Sequence, residues 1–348
     1  MESNSSLTSS LFETFSKGHD LIDSSILPSM MVVTLALGII LQTLGACMNG
    51  INVVVFFRLG LKDSVGLSFF VLSMSDFVYM LCNVVGTNVC LLVSMLYSGV
   101  PWANDFGTFG NFFIWYIVVF KDYTLTVSAF IAVARCCLVA LPFHFKSVFT
   151  LYRTWISLVA IFLFMVLIHI PMLLNQGLEL VFDSRTNGTR LVTWQGPYRK
   201  DSLAFHDLVV RNIVPYFCII VIAFCLIILS AKLITASKFR KGLSKNHKTS
   251  AKSSERDLSS RDVRVIKAVC FISGSYFLGF LPTAMQSFFR AIFPEFNIGK
   301  TYTTSFYLVL FIAVTVSHFN SAINIVVYWM FNTRFREHLT QMLTRVLG

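Results

Sequence analysis

The chain has 348 residues, of which 55% are hydrophobic and only 13% are charged, and its formal net charge is +11. A soluble protein of this length would expose far more charge, so the composition excludes a soluble domain and indicates a membrane protein. A basic chain can bind nucleic acid, but the Lys and Arg residues concentrate in loops on one predicted side of the membrane. Nucleic acid is therefore not expected as a partner.

Seven apolar stretches with few charges follow one another along the chain. All but the fourth exceed the roughly 20 residues that a helix needs to cross a bilayer, and the fourth just reaches that length. None alternates as barrel strands do, so helices are the only viable spans. The sequence predicts an all-α membrane protein, a seven-transmembrane helix bundle. The predicted spans are residues 30–57, 65–97, 109–140, 155–174, 208–231, 263–289 and 303–331.

The distribution of basic residues predicts the orientation of the bundle. With the N-terminus outside, inner segments hold 19 of the 28 Lys and Arg residues, outer segments hold seven, and two lie within spans. Because basic residues favour the cytoplasmic side, we expect a multi-pass protein of the plasma membrane with an extracellular N-terminus. The predicted organisation is an extracellular arm at 1–28, a seven-transmembrane domain at 29–331 with a third inner loop at 232–262, and a cytoplasmic amphipathic helix and tail at 332–348.

Covalent features are few. Glycosylation sequons begin at Asn4 and Asn187, both on the predicted outer side. The first 28 residues have no apolar core, so no cleavable signal peptide is expected. The eight cysteines fall in or beside spans, so no outer disulfide is expected either.

No nucleophile motif, metal-ligand spacing or phosphate loop is present, and we predict no catalytic residue, no metal site and no enzyme activity.

Several polar residues share one depth inside the predicted bundle. Each lies about 10–17 Å above the cytoplasmic edge, where a polar group costs free energy unless it has a partner. A lone aspartate among amides and hydroxyls could hold Na⁺ or a proton and act as a switch. The alternative is plain hydrogen bonding between helices. The residues at this depth are Asn49, Asp76, Thr124 and Asn324, with Asn320 and Ser321 about one turn further out.

The third span carries a second polar pattern. Lys121, Thr124, Ser128 and Arg135 are spaced i, i+3, i+7 and i+14, which places them on one helical face that must point into the bundle. Lys121 lies about 21 Å from Arg135, in the outer half. Asp122 follows Lys121 directly, but adjacent helical residues do not face each other, so each is expected to pair elsewhere.

These residues carry a family resemblance. From about residue 30 to residue 340 the chain resembles a rhodopsin-like G-protein-coupled receptor, whose helix markers occur here in order. The resemblance implies a bundle with a short eighth helix on the inner surface. The matching positions are Asn49 for the first helix, Asp76 for the second, Arg135 for the Asp/Glu-Arg-Tyr triplet, Phe280 with Pro282 for the sixth-helix aromatic and proline, and Asn324 with Tyr328 for the NPxxY motif.

Departures from the family pattern concern activation. Ala134 stands where the acidic partner of Arg135 is usual, Phe280 replaces the sixth-helix tryptophan, and Ile325 replaces the seventh-helix proline. Asp262 remains where the family often places a second acidic partner, so the resemblance implies an Arg135–Asp262 contact between helices three and six. The residues implied in G-protein coupling and activation are Arg135, Asp262, Phe280, Pro282 and Tyr328.

The resemblance narrows the ligand. Amine receptors place an aspartate where this chain has Ile117 and Val118, and opsins need a lysine where it has His318. The first span is most similar to molluscan chemosensory receptors, and a neuropeptide receptor is the alternative. A transporter or channel lined by Asp76, Lys121 and Asp122 is a third reading that an odd helix number and the lack of an inverted repeat disfavour.

Polar residues in the outer half are the predicted ligand contacts. Three are basic, which favours an anionic group on the ligand. Other roles remain open: Arg211 could pair with Asp207 at i, i+4, Arg290 could reach the membrane interface, and His318 could be a core histidine. The predicted contacts are Lys121, Asp122, Arg211, Gln286, Arg290, Tyr307 and His318.

The remaining partners are inner ones. The third inner loop is basic and rich in serine, typical of a solvated loop with helical ends. Phosphorylation of these serines by a receptor kinase would reverse the local charge and could recruit an arrestin. The expected partners are an extracellular small molecule or peptide, a heterotrimeric G protein, and membrane lipid beneath the amphipathic helix. No cofactor is expected apart from Na⁺ near Asp76.

Overall fold

The computed structural model describes residues 20–97, 106–141, 145, 147–184, 187–245 and 260–347, with the side chains of 233, 235–245, 260–269, 272 and 346–347 outside that description. Long helices and one β-hairpin make up these residues. They are α1 Leu27–Leu59, α2 Ser64–Leu96, α3 Phe106–Ala140, α4 Leu151–Leu174, β1 Gln176–Asp183, β2 Gly188–Gln195, α5 (Arg199–Phe205, His206–Ile213 and Val214–Lys245 in continuous succession), α6 Ser260–Ile292, α7 Thr303–Phe331 and α8 Thr333–Leu347.

The helices form the predicted membrane bundle. Within the described residues, α1, α2, α3, α4, α5 and α7 are long and apolar enough to span a bilayer, and α6 adds a seventh helix of 33 residues. Because α3 packs against α2, α4, α5 and α6, it is the central helix. The short α8 turns Phe335 and Leu339 inward, one helical turn apart, and so has the amphipathic character that the sequence predicts.

Local capping moves some helix ends from their predicted positions. Thr150 accepts a hydrogen bond from the backbone N–H of Arg153, so α4 begins at Leu151 and not at residue 155. The polar segment Arg199–Phe205 is also helical, so α5 begins before the predicted residue 208. The predicted third inner loop at 232–262 is shorter than expected, because α5 continues to Lys245 and α6 begins at Ser260.

The segment between α4 and α5 adds a β-hairpin, which the sequence analysis did not predict, to the all-α bundle. It is a β-hairpin in which Gln176 pairs with Gln195 and Asp183 with Gly188. The signal was present in the sequence, because β-branched and aromatic residues of 189–194 follow Asn187-Gly188, a pair that favours hairpin turns. Asn187 adopts the positive φ of 51° that asparagine tolerates. We call this end of the bundle the hairpin end, and the opposite end, where Arg135 lies, the Arg135 end.

Two helices are locally wound as π-helix at the hairpin end. The segments are Val84–Asn88 in α2 and His206–Ile213 in α5. A π-helical segment contains one residue more than the α-helix requires and turns the following side chains relative to the preceding ones. Such segments are frequent at functional sites, and both of these border the cavity described below.

The contact between α6 and α7 gives a test of the packing. A Cβ added to Gly279 would lie 2.7 Å from Cβ of Asn320, so we expect Gly279→Ala to push the helices apart and cost about 1–3 kcal/mol. Thermal unfolding of the purified protein should show a lower midpoint. Gly274→Ala is the control, since within the described residues its Cβ meets nothing within 4 Å. Equal midpoints for the two variants would contradict this packing.

Candidate functional site

A cavity opens in the hairpin half of the bundle. Its volume is about 410 Å³, within the usual range for small-molecule sites, and α1, α2, α3, α5, α6 and α7 all contribute to its walls. Tyr307 does not line it among the described residues, because its ring packs against Phe306 and Phe311. The predicted contacts that line it are Lys121, Asp122, Arg211, Gln286, Arg290 and His318.

One aspartate holds both arginines of the cavity wall. Asp207 accepts from Arg290 at 2.8 and 3.4 Å, and Arg211 lies 3.2 Å from the same carboxylate. The i, i+4 pair of Asp207 and Arg211 thus exists alongside a second bridge that joins α5 to α6. Arg290 therefore turns to α5 and not to the membrane interface. The Asp207–Arg290 bridge was missed in the sequence, which gives no information on contacts between separate helices.

Asp122 also has a partner, on the neighbouring helix α4. Its carboxylate lies 3.2 Å from Nε2 of His169, whose Nδ1 contacts the backbone oxygen of Met165 at 2.7 Å. The rings of His169 and His206 meet edge to face at 5.4 Å, and His206 meets Trp115 in the same way at 5.1 Å. Neither histidine was predicted from the sequence, although each lies in or beside an apolar span.

His318 belongs to a polar chain across the first, second and seventh helices. Its Nε2 lies 2.8 Å from Nε2 of Gln42 and 3.0 Å from the hydroxyl of Tyr79. Asn88, in the π-helical part of α2, donates to Oε1 of Gln42 at 2.9 Å. His318 is therefore a hydrogen-bonded core histidine that also lines the cavity. Its role as a core histidine and its position in the predicted ligand site are thus compatible.

The cavity is connected to the predicted polar cluster through α6. Phe280 lines the cavity and stacks on Tyr276, with ring centroids 6.1 Å apart. The Tyr276 hydroxyl donates to Asp76 at 3.2 Å and accepts from Asn324 at 2.7 Å. Asn324 also donates to Asp76 at 2.9 Å. Tyr276 is thus the missing member of the predicted cluster, and it provides a continuous path from cavity to cluster.

The other predicted cluster residues lie around this path. Asn49 donates to the backbone oxygens of Gly45 and Ser321 at 3.0 and 2.9 Å, which ties α1 to α7. Thr124 donates to Ser75 at 2.8 Å. The residues that the sequence places at one depth are therefore close together in the structure, and they come from α1, α2, α3 and α7. Asn49, Asp76, Thr124, Asn320, Ser321 and Asn324 are all at least 96% buried.

Arg135 lies at the opposite end, buried against aromatic rings. Its guanidinium is 5.2 Å from the ring centroid of Phe69, within the range of a cation–π contact. Tyr328 packs on Phe69 at 4.9 Å and on Phe335 of α8 at 5.6 Å. The predicted contact of Arg135 with Asp262 lies outside the described side chains.

A comparison with known protein families identifies the family of the chain. The profile of the family described as "Serpentine type 7TM GPCR chemoreceptor Srx" matches residues 39–293, from α1 to α6 and well over half of the chain. The chain belongs to this family. It is a receptor family and not an enzyme family, so the predicted chemosensory class is confirmed at this level. No curated protein matches the chain.

The polar cluster of this receptor suits the predicted sodium ion. Oδ1 of Asp76 and Oδ1 of Asn324 have no hydrogen-bond donor at bonding geometry among the described residues, and the hydroxyls of Thr124 and Ser321 lie in the same cluster. Carboxylate, amide and hydroxyl oxygens are the ligands that hard cations take. The donor set therefore fits Na⁺.

The start of α7 is fastened to the N-terminal arm next to the cavity. Asp20 accepts hydrogen bonds from the N–H of Thr304 at 2.7 Å and from the hydroxyl of Ser305 at 2.5 Å. Partial burial raises the pKa of the Asp20 carboxyl, but the bonds from Ser305, Thr304 and nearby backbone N–H groups outweigh this, and its pKa lies below the usual 3.8. A carboxylate is also favoured beside the positive end of the helix dipole.

The structure describes one of the two predicted glycosylation sequons. Asn187 is exposed in the turn of the hairpin, whereas Asn4 lies outside the described residues. Pro282 lies within α6, two residues after Phe280 and six after Tyr276.

The arm contact predicts a pH dependence. We expect Asp20→Ala to speed hydrogen exchange of the Thr304 and Ser305 amides, with Asp23→Ala as control because Asp23 caps only its own turn at Ser25. Since the folded-state pKa is lowered, the contact is fully present above about pH 3.8 and is lost only as the pH falls below it. Protection that declines between neutral pH and about pH 4, after correction for intrinsic exchange, would contradict this assignment.

Proposed function

We propose that this receptor is a G-protein-coupled chemosensory receptor of the plasma membrane, which binds an extracellular ligand in the cavity and activates a heterotrimeric G protein at the Arg135 end. The observation that carries the proposal is the position of Phe280. Its ring is part of the cavity wall, and it stacks on Tyr276, which is hydrogen-bonded to Asp76 and Asn324. A change at the ligand site therefore has a physical route into the bundle.

The first step is selection of a state by the ligand. A ligand shifts an equilibrium only if it binds one conformation more tightly than the other. Phe280 and Gln286 of α6 both line the cavity, so a ligand that fits best when α6 has moved favours the moved state. The Asp207–Arg290 bridge holds α6 to α5 near the cavity and gives the movement a defined starting position.

The second step transmits the movement along α6. A shift of Phe280 displaces Tyr276, and the Tyr276 hydroxyl then loses its bonds to Asp76 and Asn324. Pro282 supplies a natural bending point because it cannot complete the helical hydrogen-bond pattern. Na⁺ bound by Asp76 and the neighbouring oxygens would compensate the charge of the Asp76 carboxylate. It would thereby stabilise the arrangement in which Tyr276 has not moved.

The last step concerns the Arg135 end. Arg135, Phe69 and Tyr328 pack together there, and outward movement of α6 would free Arg135 and open a surface for the G protein. The Arg135–Asp262 contact is proposed as a further restraint that opens in this step. The helical extensions of α5 to Lys245 and of α6 from Ser260 would flank the bound G protein.

The remaining predictions belong to the same proposal. The N-terminus is placed outside the cell, with glycans at Asn4 and Asn187, and α8 on the inner lipid surface. A receptor kinase and an arrestin are proposed partners of the serine-rich third inner loop. The resemblance to rhodopsin-like receptors, and to molluscan chemosensory receptors among them, supports the coupling mechanism. A peptide ligand is the alternative that the test below distinguishes, and a transport function would give no G-protein signal.

The direct test is G-protein activation in cells that express the receptor with a promiscuous Gα subunit. Tissue and environmental extracts are applied with and without protease digestion, and Arg135→Ala is the coupling-deficient control. We expect a protease-resistant signal that Arg135→Ala reduces at least about tenfold, because Arg135 would contact the G protein directly. A protease-sensitive signal favours a neuropeptide receptor. A signal that persists in Arg135→Ala argues against the coupling mechanism.

The path through α6 has its own test. Tyr276→Phe removes the hydroxyl that bonds Asp76 and Asn324, a loss of about 1 kcal/mol that corresponds to roughly a fivefold shift toward the active state. We expect ligand-independent signalling to rise by about that factor at equal surface expression. Tyr123→Phe is the matched control, since it removes a buried hydroxyl that bonds Leu158 between α3 and α4. An equal rise in both variants would make the effect one of stability alone.

A further inference from the structure

The charges around the cavity do not balance. Three basic side chains, Lys121, Arg211 and Arg290, line it. The carboxylate of Asp207 is bound by both arginines, and the carboxylate of Asp122 is directed to His169 on α4. Two acids thus oppose three fixed cations, and Lys121 is the one of the three that forms no ion pair among the described residues.

The surroundings of Lys121 do not satisfy its ammonium group. In the part of the chain that the structure describes, Lys121 forms no hydrogen bond and no ion pair. Asp122 attracts the ammonium group electrostatically, but its carboxylate is bonded to His169, and Arg211 repels the ammonium group. His318, which is also within electrostatic range, is already bonded to Gln42 and Tyr79. Lys121 is only partly exposed, so its ammonium group has limited contact with water, and the site favours a counter-charge from a ligand.

Other unpartnered polar atoms line the same cavity. The hydroxyls of Thr87 on α2 and Thr283 on α6 and both ring nitrogens of His206 on α5 are buried, and none has a hydrogen-bond partner among the described residues. Each such atom costs free energy until a bond is made. These three residues border the cavity on three helices, so its wall holds unused hydrogen-bonding capacity close to a bound ligand.

The rest of the wall is mainly apolar. Ile117, Val118 and Val210 line it from α3 and α5, and Leu310 and Phe311 line it from α7. Such surface binds hydrocarbon, because apolar area that is removed from water stabilises a complex. The ligand body that fits is therefore apolar and small enough for about 410 Å³.

We infer that the receptor binds small amphiphilic anions, in which a carboxylate contacts Lys121 and an apolar body fills the rest of the cavity. The inference rests on the proposed function only in that this cavity is the ligand site. We assign the anion contact to Lys121 because Arg211 and Arg290 already share the carboxylate of Asp207, whereas Lys121 forms no ion pair among the described residues. An amine would meet the excess positive charge of the wall, and a neutral amide would leave Lys121 unpaired.

Binding to purified full-length receptor in lipid nanodiscs tests the inference without any G protein. The probes are octanoate and decanoate, their carboxamides, and octylamine, and the readout is the shift of the thermal unfolding midpoint with probe concentration. We expect the carboxylates to bind at least about tenfold more tightly than the matched amides. Lys121→Met should abolish this preference. Lys300→Met removes an equally charged but exposed side chain at the same end and should keep it.

A second measurement needs no ligand. If the charge of Lys121 is uncompensated, Lys121→Met should raise the unfolding midpoint of the unliganded receptor, whereas Lys300→Met should leave it unchanged. A lowered midpoint for Lys121→Met would overturn the inference, as would equal binding of carboxylates and amides or no binding of any carboxylate. Carboxylate binding that depends on Lys121 without G-protein activation would instead overturn the proposed coupling and leave the ligand class standing.

Discussion

Polar groups within the hydrocarbon layer must find partners inside the protein, and most of the bundle is arranged around this requirement. Asp76 and Asn324 find Tyr276, Asn49 finds the backbone of α7, and His318 joins a chain through α1 and α2. Each of these bonds joins separate helices. The bonds give the helices a defined relative position, which contacts between apolar surfaces alone specify poorly. The bonds therefore determine the packing as well as stabilise it.

The same requirement explains why the cavity is unusual. Elsewhere in the described bundle, Asp76 is hydrogen-bonded and Arg135 lies against an aromatic ring. The cavity wall instead combines a lysine that forms no ion pair with residues whose buried polar atoms lack a partner among the described residues. In the proposed ligand site, a bound ligand would offset this cost by bonding these groups. Because Arg211 and Arg290 share Asp207, the proposed contact for a ligand charge is Lys121 alone, and one such contact would select a ligand more narrowly than three unpaired cations would.

The sequence predicted the bundle and much of the polar cluster, because hydropathy and helical periodicity are local properties of the chain. It placed Asp76, Thr124 and Asn324 at one depth correctly, since depth follows from counting residues along a straight helix. It could not identify partners on other helices, such as Tyr276 for Asp76, Asp207 for Arg290 or His169 for Asp122. It also missed the β-hairpin, whose short alternating strands give a weaker signal than a membrane span.

The π-helical segment His206–Ile213 connects these observations with the way such a receptor can change. Deletion of a single residue there would restore regular α-helix and rotate everything on the preceding side by roughly 100°. His206 would leave the cavity wall, and Arg290 would lose its bond to Asp207. One codon therefore separates the present set of wall charges from a more strongly basic one. Selectivity in a lineage of such receptors can diverge by insertion and deletion, while every transmembrane span keeps its apolar surface.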